Sequence, residues 1–287
     1  MRPAVVETVA ELRARTDATR AAGGRVAFVP TMGALHEGHL SLMREARRLG
    51  ALAVASVFVN PTQFGPHEDF ARYPRDLDGD RDKAGAAGID LVFCPTVEEM
   101  YPAGEKTRVV VSELTAGLCG AFRPGHFDGV TTVVCKLLSA VGPCVAIFGR
   151  KDYQQLKVIE RMVRDLLLPH EIRGMPIVRE ADGLAMSSRN AYLTTEQRAR
   201  ALSLSRGLGA ARAAFDAGTR SAAALLAAAR PPIAAAMDSI DYLTLADPET
   251  LVAVPDATDA GPRALLAVAA RIGKTRLIDN VVLGDPS

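Results

Sequence analysis

Two histidines three residues apart open the chemical reading of this chain. They are His36 and His39, in "GRVAFVPTMGALHEGHLSLMREARRLG", residues 24–50. An apolar run ends at Pro30, a short loop with Gly33 follows, and a helical pattern starts near residues 36–40. The first backbone N–H groups of a helix lack intrahelical partners, and the helix dipole favours negative charge there. Strand, glycine loop and helix N-terminus in that order make an anion site. Histidines three apart share a face of the first turn, and Gly38 between them leaves room for a ligand at the backbone. As cations they would oppose the dipole. A polyphosphate reverses that balance, so they can donate to phosphate oxygens and to charge that develops in a transition state. A capped helix with two surface histidines, or a metal pair lacking its third ligand, fits the same residues.

Three further segments carry groups of matching chemistry. In "SVFVNPTQFGPHEDFARYPRD", residues 56–76, the amides Asn60 and Gln63 follow an apolar strand. An amide donates to a carboxylate and accepts from a hydroxyl, which suits a small hydroxy acid. Asn60-Pro61 alternatively builds a turn. In "CVAIFGRKDYQQLKVIERMV", residues 144–163, a strand ends at Gly149 and a helix follows. Asp152 suits that helix start, whereas Lys151 is disfavoured there unless an anion is near, which makes it a phosphate-contact candidate. Gln155 lies one turn on from Lys151, on the same face. In "IVREADGLAMSSRN", residues 177–190, Met186, Ser187, Ser188 and Arg189 form a polar loop. Its hydroxyls and guanidinium fork can engage phosphate oxygens, and they equally fit an N-cap and a solvated arginine.

The string "HEGH" behind "PTMGALH" resembles the HIGH motif of the nucleotidyltransferase superfamily, and "VPTMGALHEGHLSL" resembles the pantothenate synthetases, or pantoate–β-alanine ligases. Strings matching that family's N-P-x-Q-F, R-P-G-H-F (Arg123 to His126 onward), G-x-K-D and M-S-S-R-N follow in order, with a weaker match at "ARIGKTRLIDN", residues 270–280. The resemblance implies an ATP-dependent ligase that condenses (R)-pantoate with β-alanine through pantoyl adenylate, giving pantothenate, AMP and pyrophosphate. It implies ATP contacts at Pro30, Thr31, Met32, Gly33, His36, His39, Gly149, Lys151, Asp152, Val178, Met186, Ser187, Ser188 and Arg189. His36, His39, Lys151, Ser187 and Arg189 form the expected catalytic set, with His39 as acid or donor. Gln63 and Gln155 are expected to hold pantoate, with Asn60 beside them. Mg²⁺ is expected with ATP, held by phosphates and water and not by a set of protein ligands. A homodimer is also implied. The family usually has Glu where this chain has Arg150, a charge reversal read as facing solvent and outside the site. Another HIGH-class transferase, or a nucleotide-binding regulator without turnover, are the competing classes. The amides Gln63 and Gln155 count against the first, and the intact basic set against the second.

These groups need a scaffold. With 287 residues, 48% of them hydrophobic, the chain can bury a core in one large domain or two ordinary ones. Lys plus Arg is 34 and Asp plus Glu 33, so net charge +1 argues against a long polyanion or an anionic membrane surface. A local basic cluster remains compatible with that average. Aromatic content of 5% without Trp argues against a stacking platform for nucleic acid. The cysteines Cys94, Cys119, Cys135 and Cys144 form no C-x-x-C pair and read as reduced thiols. Residues 1–20 read as a charged amphipathic helix, not a signal peptide, and no apolar run approaches the ~18 residues of a membrane span. A cytoplasmic protein with no nucleic-acid or membrane partner is expected.

Apolar runs at 26–29, 52–59, 89–93 and 145–148 read as buried parallel strands, and 40–49, 77–87, 131–141 and 153–167 carry a helical period. This predicts an α/β fold: a Rossmann-like parallel-sheet domain over 1–176, with its ligands at the carboxyl ends of the strands. A smaller C-terminal α+β domain over 177–287 is expected to close over the site. Its expected helices are 195–217 and 221–229, and its strands 240–245, 264–270 and 275–282.

Overall fold

The computed structural model describes residues 2–66, 68 and 70–286, which fall into two compact units. The first is built on a parallel sheet of order β1-β4-β3-β2-β5-β6. Its strands are β1 (Ala4–Val6), β2 (Val26–Thr31), β3 (Leu52–Val57), β4 (Leu91–Phe93), β5 (Val145–Gly149) and β6 (Glu171–Met175). Helices α1 (Val9–Ala21), α2 (Glu37–Leu49), α3 (Leu77–Ala86), α4 (Val97–Met100), α6 (His126–Val141) and most of α7 (Tyr153–Asp165) alternate with them, while the short α5 (Cys119–Phe122), which precedes α6 in the chain, belongs to the second unit. Val26, Ala27, Phe28 and Val29 are all buried, because helices cover both faces of the sheet. That is why these strands read as continuous apolar runs without alternation. The α/β class and the Rossmann-like sheet agree with the sequence expectation.

From central β2 the chain fills one side through β3 and β4, then crosses to β5 on the other side. The carboxyl ends of β2 and β5 therefore flank a topological switch point, where open α/β sheets bind ligands.

Three local expectations are corrected. The first twenty residues are not one helix: Ala4–Val6 adds an edge strand, with Ala4 opposite Leu91, before α1 starts. Thr8 caps α1 in a reciprocal box with Glu11. An unexpected sixth strand, Glu171–Met175, pairs only with β5, so its charged residues can face water. Helix α6 begins at His126 and not at 131, because Gly125, at φ 76, ends the preceding turn in left-handed backbone.

The second unit carries an antiparallel sheet of order β7-β8-β9: β7 (Ser239–Ala246), β8 (Ala264–Ile272) and β9 (Thr275–Leu283). Helices α8 (Thr195–Ala201), α9 (Ser203–Asp216) and α10 (Ala222–Ala236) belong to the same unit, and Leu204, Leu208, Leu225, Ile233, Leu266 and Val268 form its core. The single helix expected over 195–217 breaks at Leu202. Helix α10 runs past the expected end at 229 and through Pro231 and Pro232, because fully buried Ile233 anchors its last turn. The division is also not a single cut after Pro176. Glu113–Phe122 and Lys151–Gln154 belong to the unit that begins again at Ile177. Gln154 fastens the first of these segments: it accepts from the Cys119 N–H (2.9 Å) and donates to the carbonyls of Leu114 and Gly117 (both 2.9 Å). Among the described residues, no helix is long and apolar enough to cross a membrane.

Candidate active site

The histidine loop grows out of β2. The Thr31 hydroxyl donates to the Ser56 carbonyl (2.6 Å) and accepts from the Gly33 N–H (3.1 Å), which turns the chain. Gly33 sits at φ 79, and a Cβ there would lie 2.7 Å from Asp80 Oδ2 and 3.0 Å from Val57. Both the backbone and the space demand glycine. Asp80, on α3 and 2% exposed, then accepts from the N–H groups of Ala34 (2.8 Å) and Leu35 (2.7 Å). Lys83, one turn on, donates to the Leu35 carbonyl (3.0 Å). The fixed loop makes His36 the N-cap residue of α2 and puts His39 in the first turn. Their rings face each other with centroids 4.1 Å apart, both half-buried.

The amide pair lies in the same unit, at the end of β3. Asn60 is 1% exposed, and its hydrogen bonds are used inside the protein. Its oxygen accepts from Thr62 N–H, Thr62 hydroxyl and Tyr101 hydroxyl, and its nitrogen donates to Gln63 Oε1 and the Gly129 carbonyl (both 3.1 Å). These bonds place Asn60 behind Gln63, which it orients through its Nδ2. Half-buried Gln63 directs Nε2 to Met32 Sδ (3.1 Å), a weak acceptor that a stronger one can replace. Gly129 of α6 is pressed against this turn, where a Cβ would overlap the Thr62 carbonyl and lie 2.7 Å from Gln63 Cα.

Arg123 and His126 also converge on Gln63. His126 Nδ1 donates to the Gln63 carbonyl (2.9 Å), which leaves Nε2 to accept from Arg123 Nη1 (2.8 Å). Arg123 forks onto Glu68 through Nε (2.6 Å) and Nη2 (2.5 Å). Burial pushes the Glu68 carboxyl up, but the Arg123 bonds and charge and the Gly65 N–H outweigh it and hold it below its ordinary value.

Gly149 ends β5 in the first unit, and half-buried Gln155 lies on α7 in that unit too. Arg150 is exposed, with its side chain beside Gly174 of β6.

The second unit holds Lys151, Asp152 and the 178–190 segment. Lys151 sits in a tight turn, Arg150–Asp152, with Nζ 3.8 Å from Asp152 Oδ2. Its carbonyl accepts from Asn280 Nδ2 of β9 (2.8 Å). Residues 178–186 form a small hairpin, closed by Met186 N–H on the Val178 carbonyl (3.0 Å) and Glu180 N–H on the Leu184 carbonyl (2.8 Å). Ser187 caps the following turn, Ser188–Tyr192, by accepting from the Arg189 N–H (3.3 Å). The N-cap reading of this serine is thus realised. Asn190 ties the turn to the hairpin through Glu180 Oε1 (2.7 Å) and the Ala185 carbonyl (3.0 Å). Burial raises the Glu180 carboxyl, yet Arg198 and Asn190 leave it lowered overall.

Sequence reasoning passed over Asp80, Gln154, Asp279 and Asn280. The available signal was periodicity: Asp80, Ala84 and Ala87 share one buried stripe, so Asp80 alone of its acidic run had to face inward.

A sequence model of the family described as pantoate-beta-alanine ligase matches residues 4–282. The chain belongs to the pantoate–β-alanine ligase family. It is 57% identical over 280 residues to pantothenate synthetase of Moorella thermoacetica, covering 97% of this chain and 98% of that one. It is 55% identical over 285 residues to that of Myxococcus xanthus, covering 99% and 97%. The crystal structure of pantothenate synthetase from Thermus thermophilus matches with TM-score 0.91 and 50% identity, covering 99% of this chain and all of that one. A pantoate–β-alanine ligase from Francisella tularensis, solved in complex with beta-gamma ATP and β-alanine, matches with TM-score 0.81 and 30% identity over 99% of each chain. As a pantoate–β-alanine ligase, the chain is an enzyme of pantothenate biosynthesis, and its six-stranded parallel sheet with a small antiparallel second sheet matches the family's solved structures.

Proposed function

We propose that the enzyme joins (R)-pantoate to β-alanine in two steps, through pantoyl adenylate, with AMP and pyrophosphate as the other products. A pantoate carboxylate oxygen attacks the α-phosphorus of ATP, the new C–O–P link forms, and the bond to the β-phosphate breaks. The neutral β-alanine amine then attacks the acyl carbon, the amide forms, AMP leaves, and the amine proton passes to solvent. Both steps need positioning and charge neutralisation more than covalent help.

The observation that carries the nucleotide half is the His36–His39 pair at the N-terminus of α2, beside the switch point of the sheet. In this reading His39 donates to the phosphate oxygens as charge moves toward pyrophosphate, and His36 stands beside it. Lys151, Ser187, Ser188 and Arg189 neutralise the triphosphate, and the backbone from Pro30 through Gly33, with Gly149, Asp152, Val178 and Met186, lines the nucleotide. Gln63 and Gln155 hold pantoate, with Asn60 and the Arg123–His126 pair fixing Gln63 from behind. ATP and β-alanine as ligands are supported by the Francisella tularensis relative, which is complexed with beta-gamma ATP and β-alanine.

Mg²⁺ is proposed to accompany ATP, held by the phosphates and water, where it would offset part of the triphosphate charge. The enzyme works as a homodimer in the cytoplasm, a location that its four free thiols favour.

The test is pyrophosphate release from ATP without β-alanine. Release that depends on pantoate, followed by pantothenate when β-alanine is added, is expected. Equal release with other hydroxy acids, or none, sinks the reading.

A further inference from the structure

Strand β9 carries two adjacent polar residues in an apolar run, Asp279 (3% exposed) and Asn280 (6% exposed). A strand that only completed a sheet would bury apolar side chains at both positions, because buried polar groups are unfavourable unless bonded. Both are bonded, and to different functional segments. Asp279 takes the Arg179 fork on both oxygens (2.7 and 3.0 Å), and Arg179 also donates to the Gly183 carbonyl (3.2 Å). That fixes the 178–186 hairpin, to which Asn190 binds the 187–189 turn. Asn280, which alternation sends to the other face of the strand, donates to the Lys151 carbonyl. Asp279 Oδ1 also accepts the Asn280 N–H (2.8 Å), which locks the two residues to each other.

We infer that Asp279 and Asn280 are positioning residues for the nucleotide: one dipeptide sets Lys151 and the Ser187–Ser188–Arg189 turn in a common frame. This rests on the ATP reading above. Neither residue touches a reacting atom in this scheme. Each acts through the segment it holds, so loss of either blurs the spacing of the phosphate-binding groups without removing any of them.

The experiment measures ATP binding to the full chain by calorimetry, with the melting midpoint in parallel, for Asn280→Ala and the isosteric Asp279→Asn. Asp238→Ala serves as control. Asp238 accepts from Gly273 N–H (2.6 Å) at the β8–β9 turn and pairs with Arg200, so its loss perturbs the same sheet elsewhere. Each test variant is expected to weaken ATP binding about tenfold, the scale of one lost hydrogen bond. The control should lower the melting midpoint and leave ATP binding within about twofold. The KM for β-alanine should stay near wild type throughout. If both test variants melt earlier yet bind ATP like wild type, the pair is only structural and the inference is overturned. Because the readout is binding, absence of pantoate-dependent turnover in the wild type would strike the proposed function alone. A wild-type chain that takes up no ATP overturns both.

Discussion

In the first unit a single carboxylate, Asp80, holds the histidine loop by gathering two backbone N–H groups. In the second unit Lys151 and the 187–189 turn hang from two neighbouring side chains of β9. The loop next to β2 is short, already forced by Gly33 and bonded to Thr31 and Lys83, so one carboxylate beneath it completes the hold. Lys151 and the serine–arginine turn lie far apart in sequence, so their spacing must come from a third element, and a sheet strand is the stiffest available. The consequences of failure differ as well. Losing the Asp80 charge leaves neutral N–H dipoles short of an acceptor, whereas losing Asp279 strands the Arg179 guanidinium.

The proposed charge-stabilising donor, His39, lies in the first region, and the largest expected effect tests it. His39→Ala should lower kcat by ~10²–10³-fold in steady-state assays, with the melting midpoint little changed. Turnover near wild type would remove that assignment. Asp80→Asn comes next. It leaves the loop short of one acceptor in a buried place and should cost about 3 kcal/mol in urea unfolding. Its kcat should fall along with His39 function although the histidines are intact. If stability falls and kcat does not, the loop holds its shape without Asp80 and the contrast between the regions is lost.

Gly129→Ala sharpens the picture on the pantoate side. The added methyl must push the Thr62–Gln63 backbone away, an overpacking worth ~1–3 kcal/mol, and the KM for pantoate should rise several-fold while that for ATP holds. The smallest effect concerns pH. The folded Glu68 carboxyl titrates below its ordinary 4.5, so the unfolded chain binds the proton first. Its contribution is therefore fully present above 4.5 and fades as pH falls through the lowered folded value. The gap in urea midpoint between wild type and Glu68→Gln should be present at neutral pH and close on the acid side. A gap that does not change with pH would mean that the Arg123–Glu68 pairing adds no net stability.

Much of this was legible in the sequence. The continuous apolar runs of β2 to β5 announced a sheet buried on both faces, and the glycine-loop and histidine spacing picked out the loop after β2 that leads into α2. What escaped depends on contacts distant in sequence. Ala4–Val6 is three residues long and becomes a strand only because β4 pairs with it. Glu171–Met175 reads as polar because its edge position lets charges face water. Asp80 looked like one more acid in the run with Asp76, Asp78 and Asp82, and although its period with Ala84 and Ala87 set it on the buried stripe, only the fold brings the Ala34 and Leu35 N–H groups to it. Asn60 carried the right chemistry, but its amide is spent on Gln63, Gly129, Thr62 and Tyr101. Side-chain type tells what a residue can do, while burial tells whether any of that capacity is left for a ligand.

The central claim is that pantoate is activated by attack of its own carboxylate on ATP. Turnover with pantoate labelled with ¹⁸O in both carboxylate oxygens, ATP and β-alanine tests it directly, by mass spectrometry of the nucleotide product. The account predicts one labelled oxygen in AMP and one in the pantothenate amide carbonyl. Unlabelled AMP, or label recovered in phosphate with ADP as the nucleotide product, would contradict it.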